Sequence, residues 1–325
     1  MTLRRSAFMK LTIGVSLGAT VASPQVAAAQ SLTPLRVLSL PVDPVKQVLY
    51  AMQSGIFRKH GLQVDLSPMS SGAAMVSAVV GGSAEFGAGT LFTIANAHGR
   101  GIPVQMIAPI AIYDTDQCDE WLLVRKDSAI HTARDLNGKI MAADAPNDIS
   151  VAATRAWIDQ HGGDGKSLQS LGMSSSEQLS ALQQGRVDLV VLKPPFLTIG
   201  MNSGRVRPLG KPLDAIAPHF LLSCWIATTD YITKNPATVK AFVDGLVEAA
   251  RYTNRHQAET IPLVAQFSKQ DPAQIREGVR SVIAESVSLD ELQRPLDFAF
   301  AHGVIDKHYD ARVMLSPFVP MTKHD

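Results

Sequence analysis

Two alternating α/β halves are predicted by three observations. Short apolar strands alternate with helices from residue 35 to residue 112, a rhythm that argues for a mostly parallel sheet covered by helices on both faces. The same rhythm restarts after Trp121–Arg125. No low-complexity linker separates the halves, so the chain crosses between them more than once.

The elements follow in order. Leu35–Leu40 is a first strand, and Pro44–His60 a helix with Gly61 as its C-cap. Leu62–Leu66 alternates as a second strand. Ser70-Ser71-Gly72 opens an apolar helix over Ala73–Val80. Glu85–Gly89 is a short strand, Thr90 starts a helix reaching His98, and Val104–Ile112 is a further apolar strand. In the second half, Lys139–Ala143 and Val187–Leu192 are strands, with helices at Ser150–His161 and Glu177–Gln184. Leu221–Thr229 is long and apolar. From Asn235-Pro236 the chain is helical: Ala237–His256, Ala258–Phe267, Pro272–Ser281 and Leu289–Ala301.

At 325 residues and 46% hydrophobic, the chain can bury a sizeable core, which excludes a disordered or fibrous protein. Its length suggests two domains at about 150 residues each. Thirty basic residues against 29 acidic leave no surplus that would point to nucleic acid. Two cysteines without a CxxC exclude a cysteine-built zinc or iron–sulfur centre.

Residues 1–29 have the form of a signal peptide. Arg4, Arg5 and Lys10 are its basic region, Leu11–Ala22 its apolar run, and Ala27-Ala28-Ala29 the small residues before a cut at Gln30. The Arg4-Arg5 pair resembles a twin-arginine export signal with one extra residue before Phe8; the Sec route stays open. Removal leaves 27 basic and 29 acidic residues, a net charge of −2. The expected location is the periplasm, which permits disulfides.

Five stretches, in order, carry a resemblance. Gly55-Ile56-Phe57-Arg58-Lys59-His60-Gly61-Leu62 follows the first helix. Ser71-Gly72 precedes Gly82-Ser83-Ala84-Glu85-Phe86-Gly87, with Glu85 where Asp is usual. Val124–Ser128 is followed by Asp135-Leu136-Asn137-Gly138-Lys139. Gly185-Arg186-Val187-Asp188 comes next, then Asn235-Pro236 with Val239-Lys240-Ala241-Phe242. The set resembles the periplasmic substrate-binding proteins of ABC importers, in the sulfonate/nitrate/taurine and thiamine-pyrimidine group. That resemblance implies a two-lobed, type II periplasmic-binding-protein-like fold: mixed, mostly parallel sheets with helices on both faces, joined by two hinge strands. The hinge strands are expected near Asp119–Arg125 and Leu221–Thr229, with lobe one as 30–118 plus 225–325 and lobe two as 119–224. It implies capture of a small organic anion in the inter-lobe cleft by a monomer, and delivery to ABC permease subunits without a cofactor. A thiamine-related pyrimidine or other aromatic ligand is the alternative, as are a receptor-partner role and a fold-sharing enzyme of the chorismate-processing type.

Ligands in open α/β sheets sit beyond the carboxyl ends of strands, where helix N-termini offer free N–H groups and a partial positive charge. Ser70, Ser71 and Gly72 form such an end, as does Thr90; each reads equally as a helix cap. In the second half, Asn147 is the expected ligand contact and Ser150 the cap and neighbouring contact. Asp43 either lines the cleft or caps a helix whose first residue is Pro44. Lys193, in Lys193-Pro194-Pro195-Phe196, stands where the group often has an aromatic residue; it either pairs with an anion or sits in solvent. Asp114, Asp116, Asp119 and Glu120 form an acidic cluster, read as a solvated loop rather than a cation site. Trp121 either stacks on a ring or packs in the hinge. Cys118 and Cys224 flank the two expected crossings, which would permit a disulfide.

Catalytic signatures are missing. No HExxH pair, GxSxG elbow, P-loop or GxGxxG is present. Of the fold-sharing enzymes, the thiamine-pyrimidine synthases carry a cysteine-rich motif absent here, and the chorismate-processing type is cytoplasmic. The expectation is a non-enzyme.

Overall fold

The computed structural model describes residues 31–69, 71–146 and 148–322. The expected signal peptide, Ser70 and Asn147 lie outside the described residues. Among these, ten strands build two five-stranded sheets. They are β1 (Thr33–Ser39), β2 (Leu62–Pro68), β3 (Phe86–Gly89), β4 (Val104–Asp114), β5 (Trp121–Arg125), β6 (Ile140–Ala143), β7 (Gln169–Gly172), β8 (Leu189–Leu192), β9 (Val206–Gly210) and β10 (His219–Thr228). The first sheet runs β2-β1-β3-β10-β4 and the second β7-β6-β8-β5-β9. In each, one strand is inserted against the direction of the other four: β10 pairs antiparallel with β3 and β4, and β5 with β8 and β9. The mixed, mostly parallel sheets expected from the sequence are therefore present, in a two-lobed arrangement.

Helices cover both sheets. α1 (Lys46–Gln53), α2 (Ile56–Lys59), α3 (Gly72–Val80) and α4 (Leu91–Gly99) belong to the first lobe; α5 (Ile149–Gln160), α6 (Ser175–Gln183) and α7 (Phe196–Asn202) to the second. α8 (Thr229–Lys234), α9 (Pro236–Arg255), α10 (Ile261–Ser268), α11 (Pro272–Glu277) and α12 (Leu289–Ala301) follow the return. The single helix expected over Pro44–His60 is split. Gly55 takes φ +75°, a left-handed conformation that ends α1 and turns the chain into α2.

The structure moves the crossings. The strands expected to be hinges, β5 and β10, are core members of the two sheets. The chain passes between lobes just before each, at 115–120 and 211–218. β10 pairs along its full length from His219↔Asp114 to Thr228↔Val104. Residues 219–224, assigned above to lobe two, therefore belong to the first sheet. The crossings lie side by side: the Thr115 N–H donates to Pro218 O (2.9 Å), and Lys211 Nζ to Thr115 O (2.7 Å). Tyr113 and Thr115 both donate hydroxyl hydrogen bonds to Asp214, the former at 2.7 Å. Around them Tyr113, Cys118, Ala153, Leu213, Phe220 and Phe298 form one apolar cluster at the join.

Asp214→Ala is expected to cost about 1–3 kcal/mol, because the Tyr113 hydroxyl, on a side chain 1% exposed, loses its acceptor. Urea unfolding of the variant measures it. Tyr113→Phe, which removes the donor instead, should cost less; equal losses would contradict this account.

The expected Cys118–Cys224 disulfide is absent: both thiols are free and buried. Cys118 packs with Phe220 and donates from Sγ to Glu120 O, whereas Cys224 lies in a separate apolar cluster with Leu91 and Ile226. Four residues of strand separate Phe220 from Cys224, about 13 Å at the usual rise. A disulfide cannot span that.

A third connection is made late in the chain. Asn202 Nδ2 in α7 donates to Glu277 Oε2 in α11 at 2.9 Å. The segment after α11 then runs beside β4, with Ala284 N donating to Ile110 O at 2.9 Å. The helix expected over Pro272–Ser281 thus stops at Glu277, and its last residues become extended.

Candidate functional site

On the first lobe, two helix starts converge. Ser71 caps α3, its Oγ accepting from Ala74 N at 3.3 Å. Thr90 caps α4 through a reciprocal box: Thr93 N donates to Thr90 Oγ1 (3.1 Å) and Thr90 N to Thr93 Oγ1 (3.3 Å). Gly72 brings them together, since a Cβ there would stand 3.4 Å from Thr93 Oγ1. Ser71 is exposed, while Gly72 and Thr90 are half-buried. The cap roles expected for Ser71 and Thr90 are both present, and they leave first-turn N–H groups at a strand-to-helix edge.

Asp43 lies in a 3-10 turn just after β1 and is 8% exposed. Its Oδ1 accepts from Arg280 Nε (2.7 Å) and pairs with Arg280 NH2 (2.6 Å); its Oδ2 accepts from Lys46 Nζ (2.9 Å) and Ser281 N (2.9 Å). Four donors saturate the carboxylate. These bonds tie the 280–284 segment and α1 to the end of β1. Burial alone would raise its pKa, but Lys46 and Arg280 outweigh that and hold it below the usual carboxylate range. Burial pushes the Lys46 ammonium down, against the pull of Asp43. Lys46, fully buried, also donates to Ser281 O at 2.6 Å.

On the second lobe, Asp148 and not Ser150 caps α5, accepting from Ser150 N at 2.8 Å. Asp148 precedes the helix with extended backbone, whereas Ser150 is already the second helical residue, so only Asp148 can turn its side chain back onto a first-turn N–H. Lys193 follows β8 directly, and its Nζ is 3.5 Å from Glu120 Oε1. Its side chain is 41% exposed and that of Glu120 11%. The acidic cluster read as a solvated loop is split. Asp116 is exposed, and Asp114 accepts from Asp116 N in a turn. Asp119 instead accepts from Ser281 Oγ at 2.7 Å, and Glu120 is buried. Burial pushes both carboxyls above their usual range. Glu120, more than the cost of burial, raises the Lys193 ammonium.

Trp121 has one ring face occupied from within the protein. Lys211 Nζ stands 5.1 Å over its ring, and Nε1 donates to Cys118 O at 3.2 Å. It packs against the apolar clusters at the join, the second of the two roles expected for it.

A polar network therefore runs from Lys46 and Arg280 through Asp43 and Ser281 to Asp119, with Lys193 and Glu120 beyond. Asp43 is four residues past β1; Asp119 enters β5. The network crosses from one lobe to the other. Sequence reasoning named Asp43 and Lys193 but missed Lys46, Arg280 and Ser281. Lys46 had a signal, a basic residue three positions after an acidic one at a helix start. Arg280 had none, being 237 positions from its partner. Among the described residues, no cluster of His, Cys, Asp and Glu is placed to hold a metal.

Two mixed sheets, each with one reversed strand, joined by paired crossings and presenting helix starts at the join, define a periplasmic-binding-protein-like fold. The aliphatic sulphonate binding protein SsuA of Escherichia coli superposes with a TM-score of 0.73 at 20% identity, covering 91% of this chain and 96% of that one. The nitrate-binding protein NrtA of Synechocystis PCC 6803 gives 0.73 at 11% identity, covering 89% and 86%. In sequence, a Brucella abortus protein named as a binding protein is 22% identical over 246 residues, 74% of this chain and 73% of its own. The NMT1/THI5-like family model matches residues 45–260, and the chain belongs to that family.

Proposed function

We propose that the chain is a periplasmic solute-binding protein. It captures a small organic acid between its lobes, as a monomer, and delivers it to the membrane subunits of an ABC importer without converting it. The observation that carries this reading is the convergence of the α3 and α4 starts at Gly72 and Thr93, beside the join of two lobes. Two helix N-termini with hydroxyl caps offer N–H donors and partial positive charge to an oxyanion, with no fixed cation required. Contacts made to both lobes at once would favour the closed state, and a permease can read that shift. Its relatives' names agree with a binding role.

Ser71→Ala and Thr90→Ala are each expected to weaken binding about 10-fold or more, the worth of one hydrogen bond to a charged group. Thr90→Ala should also cost about 1 kcal/mol of stability through the lost cap. Calorimetric titration of the chain from residue 30, with alkanesulfonates, carboxylates and nitrate, measures the first. Unchanged affinity in both variants would remove the α3–α4 edge from the site. Consumption of a bound compound would overturn the non-catalytic reading.

A further inference from the structure

We infer that the second-lobe side of the cleft is a cation subsite, so that the solute presents a protonated nitrogen there. This rests on the solute-binding reading above and specifies its ligand. Trp121↔Leu192 register on β5 and β8 sets Glu120 opposite Lys193. Ala142↔Val190 register on β6 and β8 brings Asp144 to the same sheet end. Three adjacent strands thus converge on one ammonium, which feels Glu120, Asp144, Asp119 and Asp148 together. Among the described residues, no Lys or Arg other than Lys193 pairs with any of these four carboxylates. At 3.5 Å, even the Lys193–Glu120 contact is longer than the usual charge-assisted hydrogen bond.

A second observation points the same way. Gln178, 2% exposed, donates from Nε2 to Asp144 Oδ1 (2.8 Å) and to Met173 O (2.9 Å). Its Oε1 is buried without a hydrogen-bond partner. Amide geometry keeps that oxygen within about 5 Å of the Asp144 carboxylate. A lone buried acceptor beside an under-neutralised carboxylate calls for an N–H donor. Lys193, on a flexible stem and 41% exposed, is the stand-in: the incoming nitrogen takes its place and the lysine swings to solvent. The acid group of the solute remains with the α3 and α4 starts.

Matched pairs that differ only in a protonated amine test this: propanesulfonate with 3-aminopropanesulfonate, and benzoate with 4-(aminomethyl)benzoate. Each is titrated against the protein from residue 30 and its Glu120→Gln, Asp144→Asn and Lys193→Met variants. The aminated member of at least one pair is expected to bind tenfold or more tightly than its partner. Glu120→Gln and Asp144→Asn should erase that preference, and Lys193→Met should strengthen the aminated member by removing its internal competitor. Binding of the plain acids with no gain from the amine overturns the cation subsite and leaves the solute-binding reading in place. Weaker binding of the aminated member to Lys193→Met also overturns it. No binding by any of the four overturns both.

Discussion

Asp43→Asn should lower the stability of the folded chain by about 3–5 kcal/mol, the usual cost of stripping one partner from a buried ion pair. The variant keeps the shape of the side chain and removes only its charge. Lys46, fully buried, and Arg280, 10% exposed, would then share a dry site with only the more distant Asp119 carboxylate to offset them. Arg280 would keep its bonds to Gln257 O (3.0 Å) and Thr260 Oγ1 (2.8 Å), so the loss centres on Lys46. pH dependence separates this from a packing defect. Lys46 has a folded pKa below its unfolded one, so the penalty of charging it is full below the folded value and vanishes above the unfolded one. The deficit of the variant should therefore shrink as pH rises toward the lysine range. In the unaltered chain the sign reverses for Asp43. Its depressed carboxyl contributes stability above the unfolded carboxylate pKa, and that contribution is lost as pH falls through the folded value. Asp119 and Glu120, raised by burial, oppose it: they weaken the folded state once ionised. Urea unfolding at neutral and alkaline pH measures the effect, and a deficit below about 1 kcal/mol at neutral pH would contradict the buried-pair account.

Trp225→Ala should cost about 3–5 kcal/mol, as large-to-small changes at fully buried aromatic positions do. Trp225 is 0% exposed on β10, the reversed strand of the first sheet. Its ring meets Phe242 of α9 edge-on at 5.9 Å, and Phe242 stacks on Phe86 at 4.4 Å and Phe57 at 5.3 Å. The indole N–H donates to Gln47 Oε1 at 3.2 Å, while Gln47 Nε2 reaches Leu246 O at 3.1 Å. One side chain thus holds β10, α1 and α9 together. Trp225→Phe keeps most of the apolar area but strands the buried Gln47 acceptor, and should cost about 1–3 kcal/mol. Denaturant unfolding of the pair measures both losses. Equal losses would show that the hydrogen bond, not the volume, dominates.

The strands covered on both faces were legible, at a sheet edge as in β4 or inside it, because burial on two faces demands a continuous apolar run. β3, β4, β6, β8 and β10 were all located within a few residues. β7 and β9 were missed. They are the edges of the second sheet, and the exposure of β7 leaves it without an apolar signature. The short α7 was missed for a like reason: it starts at a Pro-Pro pair with no capping side chain. At the site, Ser71 and Thr90 were legible because a capping hydroxyl before an apolar helix is a local pattern. Asp43 was legible as a residue but its partners were not, since the donors that saturate it come from α1 and from positions 280 and 281.

The chain's sequence by itself determined the α/β class, the two-half rhythm, the family and the capped helix starts at Ser71 and Thr90. All depend on residues near one another or on patterns repeated along the chain. Only the tertiary structure decided where the chain crosses between lobes, which thiols meet, and which charges are spent. β10 reads as one apolar run, yet which sheet it joins depends on β3 and β4, more than a hundred residues earlier. Charge behaves likewise: Asp43, Asp119 and Glu120 look alike in sequence. What separates them is the distance to Lys46, Arg280, Ser281 and Lys193 and the water excluded by folding, and neither quantity exists until the lobes have formed.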